Sequence, residues 1–215
     1  MKTKLIVILL VFISLTNLTA KDTKKINVED LNFIFRLGVD TAGSRDSTNS
    51  AGYGLDKNTA YEITFGAEDK TKDFEFGVRR TLNLYNHGNG TFHNTSAYSA
   101  KTKNIGAETS ISGFYKATKF FQPYMGLGVG INFSSYDDGG KSITASTYRP
   151  TLHGILGFNS QLLGPIGFYA QYKYTIADTY KNQVTVDNGG TLGLIQIEDN
   201  GVSGSMTTVG LSLVF

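Results

Sequence analysis

A chain of 215 residues has room for one barrel or sandwich and is short for two domains. Its 25 glycines and 3 prolines suit many strands joined by turns, and the absence of cysteine excludes disulfide stapling and cysteine-ligated metal sites. Lys and Arg number 20 against 18 Asp and Glu, but Lys2 and Lys4 fall within the first 20 residues, so the remainder is neutral at 18 of each and gives no reason to infer a nucleic-acid partner.

Residues 1–20 have the build of a secretory signal peptide: Lys2 and Lys4, an apolar run from Leu5 to Leu15, then Leu18-Thr19-Ala20 before Lys21. The run is too short for a transmembrane helix, and no later segment approaches ~20 apolar residues. Residues 21–215 are then expected to form one exported domain.

After a polar lead, Leu31, Phe33, Phe35, Leu37 and Val39 alternate with Asn32, Ile34, Arg36, Gly38 and Asp40, which is a strand period. Residues 40–58 are rich in Gly, Ser, Asn and Asp and read as a long polar loop. A second strand, about residues 59–67, sets Tyr61, Ile63 and Phe65 against Glu62, Thr64 and Gly66, and a tight charged turn follows at residues 68–72. The third strand, about residues 73–84, has Phe74, Phe76, Val78, Leu82 and Leu84 on one face and Glu75 and Arg79 on the other. Strict alternation puts Arg80 among the apolar residues. In a lipid-facing wall a midplane arginine costs ~2–4 kcal/mol, so Arg80 is expected to snorkel to the headgroups rather than mark a bulge.

A second long loop, about residues 85–101, carries His87 and His93. The fourth strand opposes Ile105, Ala107, Thr109 and Ile111 to Asn104, Gly106, Glu108, Ser110 and Ser112, and a short turn follows at residues 116–119. The fifth strand, residues 124–133, has the clearest pattern: Met125, Leu127, Val129, Ile131 and Phe133 alternate with Tyr124, Gly126, Gly128, Gly130 and Asn132. Three glycines on one face mean little room there, while the other face is uninterrupted hydrocarbon. A third polar loop, residues 134–147, contains Asp137-Asp138-Gly139-Gly140. The sixth strand, about residues 148–162, alternates weakly, with Leu152, Leu156 and Phe158 outward and Arg149 and His153 inward.

A Gly- and Pro-containing turn at residues 163–167 leads to the seventh strand, Phe168, Ala170, Tyr172, Tyr174 and Ile176 against Tyr169, Gln171, Lys173 and Thr175. A fourth long loop, residues 177–203, holds two short runs around Asn188-Gly189-Gly190 that predict a hairpin projecting beyond the membrane. The last strand places Thr207, Val209, Leu211, Leu213 and Phe215 on its apolar face.

Long polar connections alternate with short turns, as in an outer-membrane barrel with its short turns in the periplasm. The predicted fold is all-β, a closed eight-stranded antiparallel up-and-down transmembrane β-barrel. Its large residues face lipid, and its lumen takes Arg36, Arg79, Arg149 and Lys173 with Glu62, Glu75 and Glu108. Eight strands leave an interior that side chains fill. A tight turn at Lys70 and Thr71 would set Glu62 opposite Arg79 as an ion pair. A soluble lipocalin-like barrel would instead coat its exterior with these charges and overfill its interior.

The signal peptide, Pro123-Tyr124-Met125-Gly126-Leu127-Gly128-Val129-Gly130, Phe168-Tyr169-Ala170-Gln171-Tyr172-Lys173-Tyr174 and the ending Val209-Gly210-Leu211-Ser212-Leu213-Val214-Phe215 resemble the small eight-stranded outer-membrane proteins. These include the transmembrane part of outer membrane protein A, outer membrane protein W and the opacity-type porin-like adhesins. The resemblance implies export through the periplasm to the outer membrane and contact with its lipid and lipopolysaccharide. It also implies that Phe215 is the assembly signal read by the barrel-insertion machinery, and no periplasmic peptidoglycan-binding domain is expected after it. Tyr and Phe must form any aromatic girdle, since Trp is absent.

Members of such families are structural, adhesive, channel-forming or enzymatic. The close His-x-Ser spacing of a lipid A deacylase is missing, because His93 is followed by Asn94-Thr95-Ser96 and His153 by Gly154-Ile155. No catalytic residue is assigned, and a lipid A-modifying enzyme is the weakest reading. Asp137-Asp138-Gly139-Gly140 is too short for a calcium loop, so neither a metal nor a cofactor is expected. The expected role is envelope structure and surface interaction, through four long loops facing host or phage ligands. The alternative is a narrow channel for small hydrophobic molecules, resembling outer membrane protein W.

Overall fold

The computed structural model describes residues 28–41, 53–55, 60–94, 98–118, 120–137, 144–178, 180–187, 192–199 and 203–215. The predicted signal peptide, His87 and His93 as side chains, and Asp138-Gly139-Gly140 lie outside what it describes. Ahead of the first strand, the described part of Met1–Leu31 is one 3-10 turn, Val28–Asp30.

The strands are β1 (Leu31–Thr41), β2 (Tyr53–Leu55), β3 (Ala60–Asp69), β4 (Glu75–Asn94), β5 (Tyr98–Lys116), β6 (Gln122–Asp137), β7 (Thr144–Leu163), β8 (Ile166–Ala177), β9 (Tyr180–Asp187), β10 (Leu192–Asp199) and β11 (Gly204–Val214). Eight of them close on themselves in the antiparallel ring β1-β3-β4-β5-β6-β7-β8-β11, with β11 returning to β1. At that seam the Phe33 and Phe215 backbones exchange hydrogen bonds of 3.0 and 2.9 Å. Strand β2 adds to β4 beyond the ring, and β9 and β10 pair as the hairpin that Asn188-Gly189-Gly190 predicts.

Burial shows which face meets which solvent. Leu127 is 70% exposed and Met125 66%, while Lys173 is 0% and Arg36 2%. Val129, Ile131 and Phe133 are partly exposed, and their alternates Tyr124, Asn132 and Ser134 are buried. Apolar residues outside and charges inside is stable only where the outer solvent is hydrocarbon. Gly128 shows why the inward face of β6 is small, since a Cβ there would overlap the His153 ring and the Thr109 carbonyl.

Two parts of the hairpin β3–β4–β5 depart from expectation. First, the chain turns at Asp73 and Phe74 rather than at Lys70 and Thr71. The acids there bond the turn's own main chain: Val78 N–H donates to Asp69 at 2.9 Å and Lys72 N–H to Glu75 at 2.8 Å. Glu75 is therefore an exposed residue at the start of β4 and not a lumen charge. The register that follows sets Glu62 opposite Tyr85 and Glu68 opposite Arg79.

Second, the segment read as the second long loop is mostly strand, because β4 continues to Asn94 and β5 begins at Tyr98. A ladder that extends past the apolar layer needs no apolar alternation, so such a sequence reads as loop. Its one irregularity lies between Asn86 and Asn89. Pairing is regular through Arg79 and Arg80, so no bulge forms there. Arg80 faces outward and reaches toward Asp69 at the turn end, at 3.9 Å.

Candidate functional site

The lumen holds a column of ionic and aromatic groups, because the inward positions of all eight strands converge on one narrow axis. Nearest the short turns, Arg79 Nε and Nη2 both donate to Glu68 Oε2, at 2.8 and 2.6 Å, and Nη2 also donates to Gln122 Oε1 at 2.8 Å. Its guanidinium lies 5.2 Å from the Phe114 ring centre and 4.7 Å from that of Tyr124. Arg36 shares the Tyr124 ring at 5.2 Å and lies 4.7 Å from that of Tyr169. Phe114, Arg79, Tyr124, Arg36 and Tyr169 thus form an alternating ladder of rings and cations. Desolvated contacts of this kind are each worth roughly 2 kcal/mol. Arg36 further donates to the Tyr124 hydroxyl at 3.3 Å and to Asn159 at 3.5 Å.

Deeper along the axis, the Tyr169 hydroxyl donates to Glu62 at 3.1 Å. Lys173 Nζ lies between two carboxylates, 2.7 Å from Glu108 Oε2 and 3.8 Å from Glu62 Oε2, with the Tyr85 ring 5.0 Å away. His153 Nδ1 is 3.8 Å from the other oxygen of Glu108. The Thr208 hydroxyl donates to Asp40. Toward the long connections hydroxyl and amide groups join the network. Arg149 donates to Ser134 at 2.6 Å, Ser134 donates to Asn104, and the Tyr85 hydroxyl donates to Asn132 at 3.2 Å.

Of the residues the sequence assigns to the lumen, Arg36, Glu62, Arg79, Glu108, Arg149 and Lys173 are buried there, and Glu75 is not. The Glu62 and Arg79 pair does not form, because Glu68 takes Arg79 and Lys173 takes Glu62. Glu68 and Asp40 are the charges that sequence reasoning left out. Both continue a period-two run, Glu68 after Glu62, Thr64 and Gly66, and Asp40 after Arg36 and Gly38, but their polar neighbours read as turn and loop. Among the described residues, the buried cations Arg36, Arg79, Arg149 and Lys173 then face four buried acids, Asp40, Glu62, Glu68 and Glu108.

Chemically this column is suited to sealing and stiffening. The buried histidine touches Glu108 and the backbone side of Gly128, and no group of three or more metal-ligating side chains occurs among the described residues.

No family model and no curated protein matches the sequence. Solved structures do match over 86% of the chain. OprG of Pseudomonas aeruginosa is 18% identical with a TM-score of 0.54, the match covering 95% of its own chain. Its fold is that of the small outer-membrane β-barrels. Ail, the attachment invasion locus protein of Yersinia pestis, agrees at 14% identity, a TM-score of 0.50 and 97% of its chain. A major outer membrane protein of Thermus thermophilus agrees at 13% identity, a TM-score of 0.50 and 99% of its chain. At these identities the likeness establishes the fold alone. An outer-membrane barrel needs an aromatic rim, and exposed Phe74, Phe76, Phe120, Phe121 and Phe215 supply it at the short-turn end without any Trp.

Proposed function

We propose that the protein is an integral outer-membrane barrel, sealed by its own side chains, that contributes to the envelope and makes surface contacts through its long-loop end. The observation that carries this reading is the asymmetry of the wall. Four adjacent strands, β4, β5, β6 and β7, have 20, 19, 16 and 20 residues, whereas β8, β11, β1 and β3 have 12, 11, 11 and 10. About ten residues per strand cross the apolar layer. The excess on one side of the ring therefore continues as sheet, widened by β2 on β4. The upper part of β7 pairs with β6, while its described pairing with β8 begins only at Thr151. A strand edge of this kind offers main-chain groups to a partner. Lipopolysaccharide and host or phage surface molecules are the partner classes this end would meet, and Ail, named for attachment and invasion, has the same fold.

Phe215 serves in this reading as the signal for the insertion machinery, since its backbone closes the seam with Phe33 while its side chain stays 66% exposed. The channel reading is weaker because the lumen charges are bonded to one another across the bore. The enzyme reading is weaker because the ionisable partner beside His153 is the Glu108 carboxylate, which Lys173 already binds.

A strain lacking the protein, complemented with wild type or with a form in which residues 88–101 are replaced by a two-residue turn, tests the proposal. The shortened barrel should still shift on unboiled gels, yet lose adhesion to host cells or phage adsorption conferred by the wild type. A steady porin-sized current from the wild type in planar bilayers, with faster uptake of small apolar solutes, would favour the conduit instead.

A further inference from the structure

The outer wall carries a fixed pair of opposite charges that neither the lumen nor the surface sheet uses. Among the outward-facing strand residues whose burial is described, Arg80 is the one basic side chain. Ala67 and Ile111 flank it across the ladder, and Val78 and Leu82 along β4. Its guanidinium bends toward the turn end, where Asp69 closes β3. The separation is 3.9 Å, with the side chains 36% and 42% exposed, so each retains bonding capacity toward the lipid side. The carboxylate cannot simply swing away, since its other oxygen accepts the Val78 N–H at 2.9 Å.

Beside the pair the wall is notched. Gly113 faces outward between its ladder partners Val78 and Met125, and a Cβ there would meet nothing within 4 Å. On the turn side the Phe76 and Tyr115 rings pack with centres 4.7 Å apart, closing the notch toward the rim. Phe74 stands at that rim with φ 66°, a conformation a bulky side chain rarely adopts, held by its N–H to the Lys116 carbonyl at 2.6 Å.

We infer that this pair and notch hold one phospholipid with a phosphoethanolamine headgroup, in the leaflet at the short-turn end. A phosphate and a primary ammonium a few ångströms apart match Arg80 and Asp69 in sign and order. The guanidinium fork takes phosphate oxygens, and the ammonium donates to the carboxylate. A glycerol headgroup brings the phosphate but offers Asp69 neutral hydroxyls in place of a cation. A choline headgroup brings a cation with no N–H to donate. The glycine notch gives the first carbons of an acyl chain a seat that any larger residue would occupy.

The test uses the full mature chain refolded from denaturant into detergent, so that it begins free of lipid. It is offered short-chain phosphatidylethanolamine, phosphatidylglycerol and phosphatidylcholine at equal concentration, and retained lipid is counted by native mass spectrometry. One phosphatidylethanolamine per barrel is expected, at least fivefold over the other two. Arg80→Ala, Asp69→Asn and Gly113→Leu should each abolish that preference while still giving the folded gel shift. Arg80→Lys should keep part of it, since an ammonium binds phosphate without the fork. Equal retention of the three lipids, undiminished phosphatidylethanolamine on Arg80→Ala, or a preference for phosphatidylglycerol would overturn the assignment.

Discussion

Replacing Lys173 with methionine is expected to be the most damaging single change in the lumen. Its ammonium is wholly buried between Glu108 and Glu62, themselves 2% exposed. Methionine fills the stem but leaves two carboxylates facing each other with no cation between them. Removing one partner of a buried pair costs ~3–5 kcal/mol, because the remaining charge stays desolvated. Here one cation serves two acids, so the upper part of that range is expected in urea unfolding of the refolded barrel, followed by the gel shift since the chain has no Trp. Adding Glu108→Gln to Lys173→Met should restore part of the loss by removing one stranded charge. A loss below about 1 kcal/mol would mean that water reaches these groups, as it reaches exposed pairs.

The second large effect is expected at Arg79. Alanine there removes two bonds to Glu68, the bond to Gln122 and the contacts with Phe114 and Tyr124. The cost should again be ~3–5 kcal/mol, most of it from the stranded Glu68 carboxylate. A double-mutant cycle separates this pair from the one that alternation alone would choose. Groups in one network couple by ~0.5–3 kcal/mol, and independent groups add. Glu68→Ala with Arg79→Ala should therefore cost clearly less than the two single changes together, whereas Glu62→Ala with Arg79→Ala, linked only through Tyr169, Arg36 and Tyr124, should couple much more weakly. The opposite result would place the turn at Lys70 and Thr71.

That pair also shows where sequence reading stops. The outward faces of β1, β6, β8 and β11 are legible because lipid demands hydrocarbon at every second position, and no other solvent would. The β9–β10 hairpin is legible through the Asn188-Gly189-Gly190 signal between two strand-like runs. The position of the β3–β4 turn is not, because it depends on which main-chain N–H each acid captures, and Asp69, Asp73 and Glu75 look alike in composition. A three-residue difference at the turn exchanges Glu75 for Glu68 in the lumen and gives Arg79 a different partner. Strand β7 alternates poorly for another reason. Ile155 faces inward and packs with Phe114 and Tyr124, so apolar residues occur on both of its faces. The upper reaches of β4 and β5 are not legible, because a strand that continues past the apolar layer carries no imposed alternation.

The central claim is that the apolar face of every strand meets lipid and the charged face meets the other strands. The chain has no cysteine, so single cysteines at Met125, Leu127, Leu156 and Val209 can each carry a nitroxide without altering the native sequence further. With the labelled barrels refolded into bilayers, collision rates with oxygen, which partitions into hydrocarbon, are compared with those for a water-soluble nickel chelate. High oxygen and low nickel accessibility at all four positions is the predicted result. Low accessibility to both reagents would place these side chains in a dry protein core, and high nickel accessibility would place them in water; either would contradict a membrane-spanning barrel.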